Sequence, residues 1–114
     1  MICRRGDVVL VRYPHSDLTT LTTRPALLVQ DEGVPTGLPQ SIVALITSNL
    51  GRTGPTRVRF MRESSDGEAM GLPTYSVVVT DSPATVLDRE LDQVIGHCPA
   101  MDRVGEALRS TLGP

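Results

Sequence analysis

The stretch "RPALLVQ" (residues 24–30) decides the prediction of the fold. Its apolar run is short and continuous, which is typical of a strand that is buried on both faces. Pro25 fixes its own φ and holds the preceding residue in extended backbone. We therefore expect a buried strand at residues 25–30 with Arg24 at its entrance. That arginine is either a solvated charge at a strand end or a cation positioned for a function.

Stretches rich in β-branched residues recur along the chain, separated by loops with Gly, Pro, Ser and Asn. Each of these stretches predicts a short strand. In "TRVRFM" (residues 56–61), apolar residues alternate with Arg57 and Arg59, which predicts one apolar and one basic face. The predicted strands are residues 7–13, 25–30, 41–47, 56–61, 75–80, 84–87 and 92–97.

The last segment, "PAMDRVGEALRSTLG" (residues 99–113), differs because its apolar residues follow the spacing of one helix face. Pro99 suits the first helical turn and Gly113 the C-terminal cap. Short strands with turn-rich connections and one terminal helix predict a mostly β fold, a small antiparallel barrel or half-barrel of about five to seven strands. The residues on the helix face are Met101, Val104, Leu108 and Leu112.

The composition fits a single globular domain over residues 1–114. Aromatic residues make up 3% of the chain, which argues against base stacking on aromatic side chains. The net charge of −2 disfavours nucleic-acid binding in general, because phosphate contacts dominate such affinity. All 11 basic residues are arginines, whose planar donors suit phosphate, although a coding bias explains the same count.

The cysteine and leader patterns exclude several classes of protein. Cys3 and Cys98 are far apart and form no zinc-binding spacing, so we expect no metal. Two cysteines also do not make a disulfide framework. No apolar run has the length of a signal peptide or a membrane span. We therefore expect a reduced, cytoplasmic protein with no membrane association.

The opening "RRGDVVLVRYPHSDLTTLTTRPALLV" (residues 4–29) and three later segments, 41–49, 75–81 and 92–113, occur in this order along the chain. Together these four segments resemble the MazF/PemK-like toxins. In that family a Gly-Asp-Val/Ile start leads the first strand, a Pro-x-x-Asp-Leu loop follows, and Arg-Pro opens the second strand. "SIVALITSN" (residues 41–49), "YSVVVTD" (residues 75–81) and "DQVIGHCPAMDRVGEALRSTLG" (residues 92–113) are similar to later segments of the same family, in the same order. The matching residues of the opening are Gly6, Asp7, Val8, Pro14, Asp17, Leu18, Arg24, Pro25 and Ala26.

The resemblance implies an SH3-like barrel of the CcdB/PemK type with a C-terminal α-helix, and a homodimer. It implies the toxin of a toxin–antitoxin pair, an endoribonuclease that cleaves single-stranded mRNA at short sequences without metal or cofactor. The implied partner is a cognate antitoxin whose disordered acidic tail folds across the toxin. The family's catalytic pair, the arginine before the proline and the threonine that ends the third strand, falls on Arg24 and Thr47.

Elementary chemistry is compatible with that pair. RNA supplies its own nucleophile, the 2′-hydroxyl, and the product carries a 2′,3′-cyclic phosphate. Arg24 offers a charge and several donors to the phosphate oxygens on which charge develops. Thr47 can donate its hydroxyl to the phosphate, and Ser48 follows it as a supporting hydroxyl. Because a guanidinium holds its proton tightly, charge stabilisation by Arg24 is preferred over proton transfer.

Three candidates precede Arg24 in the chain. His15 offers a general acid or base, although the resemblance does not require one. Asp17 can bond backbone amides in a turn. Thr23 belongs to a threonine-rich loop that either contacts RNA or is stiffened by its β-branched residues.

Three more candidates follow it. Arg57 and Arg59 either guide RNA through backbone contacts or form an ordinary solvated strand face. Ser76 either lines the same cleft or is a turn hydroxyl.

Two alternatives stay open from the sequence. A CcdB-like toxin shares the barrel but binds DNA gyrase without catalysis. A degenerate relative only binds an antitoxin or regulates its operon. Arg24-Pro25 and Ile46-Thr47-Ser48 favour the ribonuclease.

Overall fold

The strands form where β-branched residues are densest. The computed structural model describes residues 3–14, 21–31 and 37–113. Within these ranges, six strands pair antiparallel in one sheet of order β4-β5-β3-β2-β1-β6, with β4 and β6 as its edge strands. In chain order the elements are β1 (Asp7–Pro14), β2 (Leu21–Leu28), β3 (Gln40–Thr47), β4 (Arg57–Phe60), α1 (Ser65–Met70), β5 (Ser76–Leu87), a 3-10 turn (Asp88–Glu90), β6 (Leu91–His97) and α2 (Met101–Leu112).

This architecture confirms the mostly β prediction with a C-terminal helix, in the half-barrel form. Two boundaries were predicted wrongly. The stretches 75–80 and 84–87 are one continuous strand, β5, rather than two. Strand β2 begins at Leu21, so part of the predicted threonine-rich loop is strand. Threonine is β-branched and fits a pleated strand, and Arg24 therefore lies within β2 rather than at its entrance.

Helix α1 was not predicted, because six residues are too few to show a helical period. Its ends nevertheless carry local signals. Ser64 caps the first turn by accepting from the Gly67 N–H at 3.0 Å. Gly71 ends the helix in the left-handed region, at φ 70°. A Cβ on Gly71 would also collide with the Ile95 carbonyl of β6, so glycine is required for this close approach.

Both faces of the sheet are buried, which explains the continuous apolar run of β2. Successive side chains of a strand point to opposite faces. Leu27 accordingly joins the core beneath α2, together with Phe60 and Val104. Ala26 and Leu28 join a second core on the other face with Val43, Val86 and Leu91.

Helix α2 closes the first core. Val104 is fully buried, and Met101 and Leu108 pack partly against the core. Leu112, which was predicted on the same face, is 75% exposed and lies outside the core. Gly113 caps the helix by donating to the Arg109 carbonyl, as predicted. Pro99 precedes the N-cap residue Ala100, so the prediction that it lies in the first turn was wrong.

Candidate functional site

The site forms where β2 and β3 separate. Their ladder joins residues 26–28 to residues 43–45 and stops beside Pro25, which has no backbone N–H to donate. Extending the same register by two residues on each strand places Arg24 opposite Thr47. Strand β3 stays paired with β5 as far as Thr47, so β3 is held in place while β2 diverges from it.

Two cavities occupy this opening. The larger one, the Arg52 cavity, has a volume of about 410 Å³. The smaller one, the Ser76 cavity, has a volume of about 250 Å³. The Arg52 cavity is lined by Arg24, Pro25, Leu45, Ile46, Thr47, Arg52, Val79 and Ser82. The Ser76 cavity is lined by Arg24, Pro25, Ile46, Thr47, Ser48, Leu72, Pro73, Thr74 and Ser76.

Arg24 and Thr47 line both cavities, so they lie where the two meet. Arg24 is exposed, and in the described ranges its side chain has no hydrogen bond or ion pair. Thr47 is half-buried, and its Oγ1 accepts from the backbone N–H of Asn49 at 3.1 Å. Because that bond occupies an acceptor position, the Thr47 O–H is free to donate into the opening.

The arrangement suits an anion. None of the described carboxylates lines either cavity, whereas two guanidinium groups and several hydroxyls do. In the ranges that the structure describes, no His, Cys, Asp and Glu residues are grouped so as to hold a metal ion. An uncompensated positive charge beside hydroxyl donors is the chemistry that binds phosphate oxygens.

The chain is similar to known proteins over nearly its whole length. The family of PemK-like, MazF-like toxins of type II toxin–antitoxin systems matches residues 4–112. The chain belongs to this family.

Solved structures support the same assignment of this toxin. An endoribonuclease from a mycobacterial species, in complex with its cognate antitoxin, is 28% identical at a TM-score of 0.73, covering 98% of this toxin and 96% of that chain. The Mycobacterium tuberculosis toxin MazF-mt6 is 26% identical at a TM-score of 0.70, covering 92% and 94%. No curated protein matches the toxin by sequence.

Of the other predicted site residues of the toxin, some lie at the opening and some do not. Ser48 is exposed at the Ser76 cavity. Ser76 is buried in its wall, where its hydroxyl donates to the Thr74 carbonyl at 3.1 Å. Thr23 is exposed opposite Arg12 of β1 and lines neither cavity. His15 and Asp17 lie outside the described residues.

Arg57 and Arg59 of the toxin line neither cavity at the opening. Arg57 forms an ion pair with Asp81 at 3.0 Å and donates to the Thr53 carbonyl at 2.9 Å. Arg59 donates to the Leu50 carbonyl at 3.0 Å. Both guanidiniums therefore hold the turn between β3 and β4.

The Arg57–Asp81 pair also affects the carboxyl group. Desolvation raises the pKa of Asp81, but its backbone hydrogen bond, the bond and charge of Arg57 and the hydroxyl of Thr56 together hold that pKa below its usual value. Asp81 is therefore ionised at neutral pH, and it keeps Arg57 in place.

Sequence reasoning missed three polar or charged lining residues, Arg52, Thr74 and Ser82. The segment 48–55 was recognised as a turn from its Ser, Asn, Gly and Pro residues. Nothing in that pattern indicates that the turn folds toward Arg24, because this depends on where β2 and β3 separate.

In the described part of the toxin, no helix is long and apolar enough to cross a membrane.

Proposed function

We propose that this toxin is a metal-independent endoribonuclease that cleaves single-stranded RNA, with Arg24 and Thr47 as its catalytic residues. The observation that carries the proposal is the position of these two side chains on either side of the opening, in a site where the described residues provide two unpaired cations and no carboxylate. The likeness to an endoribonuclease from a mycobacterial species supports the same reaction class.

The reaction needs little covalent chemistry from the protein. The 2′ oxygen bonds to phosphorus as the bond from phosphorus to the 5′ oxygen breaks. The 2′ proton leaves to water, and water returns a proton to the departing 5′ oxygen. The products are a 2′,3′-cyclic phosphate and a 5′-hydroxyl. Since the nucleophile belongs to the substrate, no metal-bound hydroxide is required.

Arg24 and Thr47 then act on the phosphate oxygens. The guanidinium of Arg24 stabilises the negative charge that develops there in the transition state. The Thr47 hydroxyl donates to the same group, since its acceptor side is taken by Asn49. Ser48, Thr74 and Ser76 provide hydroxyls in the adjoining Ser76 cavity, where a neighbouring nucleotide is accommodated.

The partners follow from the same site. We propose a homodimer in the cytoplasm, with residues 1–114 as one toxin domain, and a cognate antitoxin with an acidic disordered tail. The unpaired guanidinium groups at the opening attract such a tail, which would cover the cleft. Adding the product of a neighbouring acidic reading frame should inhibit cleavage, and sedimentation should give twice the mass of one chain.

The test uses purified toxin, single-stranded RNA and EDTA. We expect cleavage to persist and the fragments to end in a 2′,3′-cyclic phosphate. Cleavage that stops in EDTA and returns with added metal would contradict metal independence. DNA breaks that require gyrase, with intact RNA, would favour a CcdB-like toxin instead.

A further inference from the structure

Arg52 is a second cation at the opening that neither the sequence motifs nor the catalytic pair accounts for. It lies in the turn between β3 and β4, five residues beyond Thr47, and lines the Arg52 cavity beside Arg24. It does not line the Ser76 cavity. Its side chain therefore reaches one side of the catalytic pair and not the other.

The turn that carries Arg52 is fixed by hydrogen bonds that begin at Thr47. The Asn49 N–H donates to Thr47 Oγ1, and Asn49 Oδ1 accepts from the Gly51 N–H at 3.0 Å. The Arg52 N–H donates to the Asn49 carbonyl at 3.2 Å. One asparagine thus links the catalytic threonine to the backbone of Arg52.

Two arginines of β4 brace the same turn from outside. Arg59 donates to the Leu50 carbonyl, and Arg57 donates to the Thr53 carbonyl. These carbonyls lie on either side of Arg52. The backbone of the turn is therefore held before any ligand binds, which lowers the entropy lost when Arg52 makes a contact.

Among the described residues, the charge of Arg52 has no partner. In contrast to Arg12 and Arg57, which pair with Asp92 and Asp81, Arg52 has no ion pair or side-chain hydrogen bond in the described ranges. It shares its cavity with Arg24, and none of the described carboxylates lines that cavity. Two cations at one opening repel each other unless an anion binds with them.

We propose that Arg52 binds the phosphate that flanks the scissile phosphate of the RNA, and that Asn49 positions it. This inference rests on the proposed ribonuclease function. Arg24 and Thr47 line both cavities, so the scissile phosphate lies between these two side chains, where the cavities meet. Arg52 lines only one of the two cavities, so it contacts the RNA on that side of the scissile phosphate. It contributes to RNA binding rather than to the bond-breaking step.

The test compares Arg52→Ala with Arg89→Ala, which removes the same charge at a distant site. Arg89 lies two residues after Leu87. Leu87 pairs with Gln40 at the start of β3, and Thr47 lies at the other end of that strand. Binding is measured with a 2′-O-methyl single-stranded oligonucleotide, which the toxin cannot cleave. Cleavage kinetics use an RNA that the wild-type toxin cuts.

Arg52→Ala should weaken binding about tenfold, because one charge-assisted contact to phosphate is lost. The slope of log affinity against log salt should flatten by about 0.7, the value for one contact on a single strand. KM should rise by about the same factor as the dissociation constant, and kcat should stay near the wild-type value. Arg52→Lys should keep most of the salt slope. Arg89→Ala should match the wild type in affinity, salt slope, KM and kcat.

Asn49 is tested by Asn49→Ala and by Asn49→Ser, whose hydroxyl can accept from the Gly51 N–H. As a positioning residue, Asn49→Ala should raise KM in the same direction as Arg52→Ala, and Asn49→Ser should recover part of the loss. Asn49→Ala should add little to Arg52→Ala in the double variant. Full additivity would show that Asn49 acts independently of Arg52.

Three results would overturn the proposal. The first is an Arg52→Ala variant with the affinity and salt slope of Arg89→Ala. The second is a fall in kcat with unchanged binding, which would place Arg52 on the scissile phosphate. The third is loss of the circular dichroism signal of the wild type in both Arg52→Ala and Arg52→Lys, which would make Arg52 a folding residue. A wild-type toxin that binds the oligonucleotide but cleaves no RNA contradicts the proposed function instead.

Discussion

Strands β2 and β3 are closed at one end and open at the other, and the two ends have opposite character. At the closed end, residues 26–28 and 43–45 are paired, and their side chains are buried except for the half-buried Leu45. At the open end, Arg24 and Thr47 lie beyond the last residues that pair between β2 and β3, beside two cavities. The closed end supplies rigidity and the open end supplies access. A short strand pair can thus hold Arg24 and Thr47 in place while leaving them accessible.

The closed end should carry the larger stability effect. Leu27 is fully buried in the core beneath α2. Leu27→Ala should lower the free energy of unfolding by about 2–5 kcal/mol, measured by urea denaturation. Leu112→Ala, at a leucine that is 75% exposed, should change it by no more than about 0.5 kcal/mol. Equal stability of the two variants would refute the assignment of the core to this end.

The open end should carry the larger activity effect. Arg24→Ala should reduce the cleavage rate by about 10²–10³, comparable to the loss of a transition-state donor, and leave urea stability within about 0.5 kcal/mol. Arg24→Lys keeps a charge but loses the planar donors, so its cleavage rate should lie between those of the wild type and Arg24→Ala. A large loss of stability in Arg24→Ala would show that this arginine belongs to the closed end.

The Thr47 hydroxyl should have a smaller effect than the Arg24 charge. Thr47→Val keeps the β-branched shape and removes the hydroxyl, and it should slow single-turnover cleavage by about 10–100-fold, the equivalent of one neutral to charged hydrogen bond. Thr47→Ser retains the donor and the acceptor for the Asn49 N–H. It should therefore stay close to the wild type, and a Ser variant as slow as the Val variant would contradict the role of the hydroxyl.

Much of the closed end was predictable from sequence. The runs of β1 and β3 predict strands because they are rich in β-branched residues, and the short apolar run of β2 predicts one because it must be buried on both faces. Arg24 and Thr47 could be named only from the resemblance to MazF/PemK-like toxins. Their placement opposite each other depends on strand register, which one sequence does not determine.

The errors had local causes. The start of β2 was missed because a polar run of threonines was interpreted as a loop, although β-branched residues favour strands. Helix α1 was missed because it is too short for periodicity, although Ser64 and Gly71 mark its ends. Arg52 gave no signal, since only the tertiary fold brings its turn to the opening.

The smallest expected effect concerns the Arg57–Asp81 ion pair, which helps to hold the turn beside the open end. The folded-state pKa of Asp81 lies below its ordinary value of 3.8, so the Arg57–Asp81 pair stabilises the fold above that pH and is lost as pH falls through the folded-state pKa. Wild-type thermal stability should therefore decrease more steeply than that of Asp81→Asn below about pH 4. The difference should be small because solvent screens an exposed carboxylate. Parallel curves would show that the pair contributes nothing.

A double-mutant cycle on Arg24→Ala and Thr47→Ala tests the central claim most directly. Single-turnover cleavage is measured in EDTA, with folding checked by circular dichroism. If both side chains act on one phosphate across the opening, each single variant is slowed, and the double variant loses far less than the product of the two effects. Wild-type rates in both single variants, or losses that multiply in full, would contradict it.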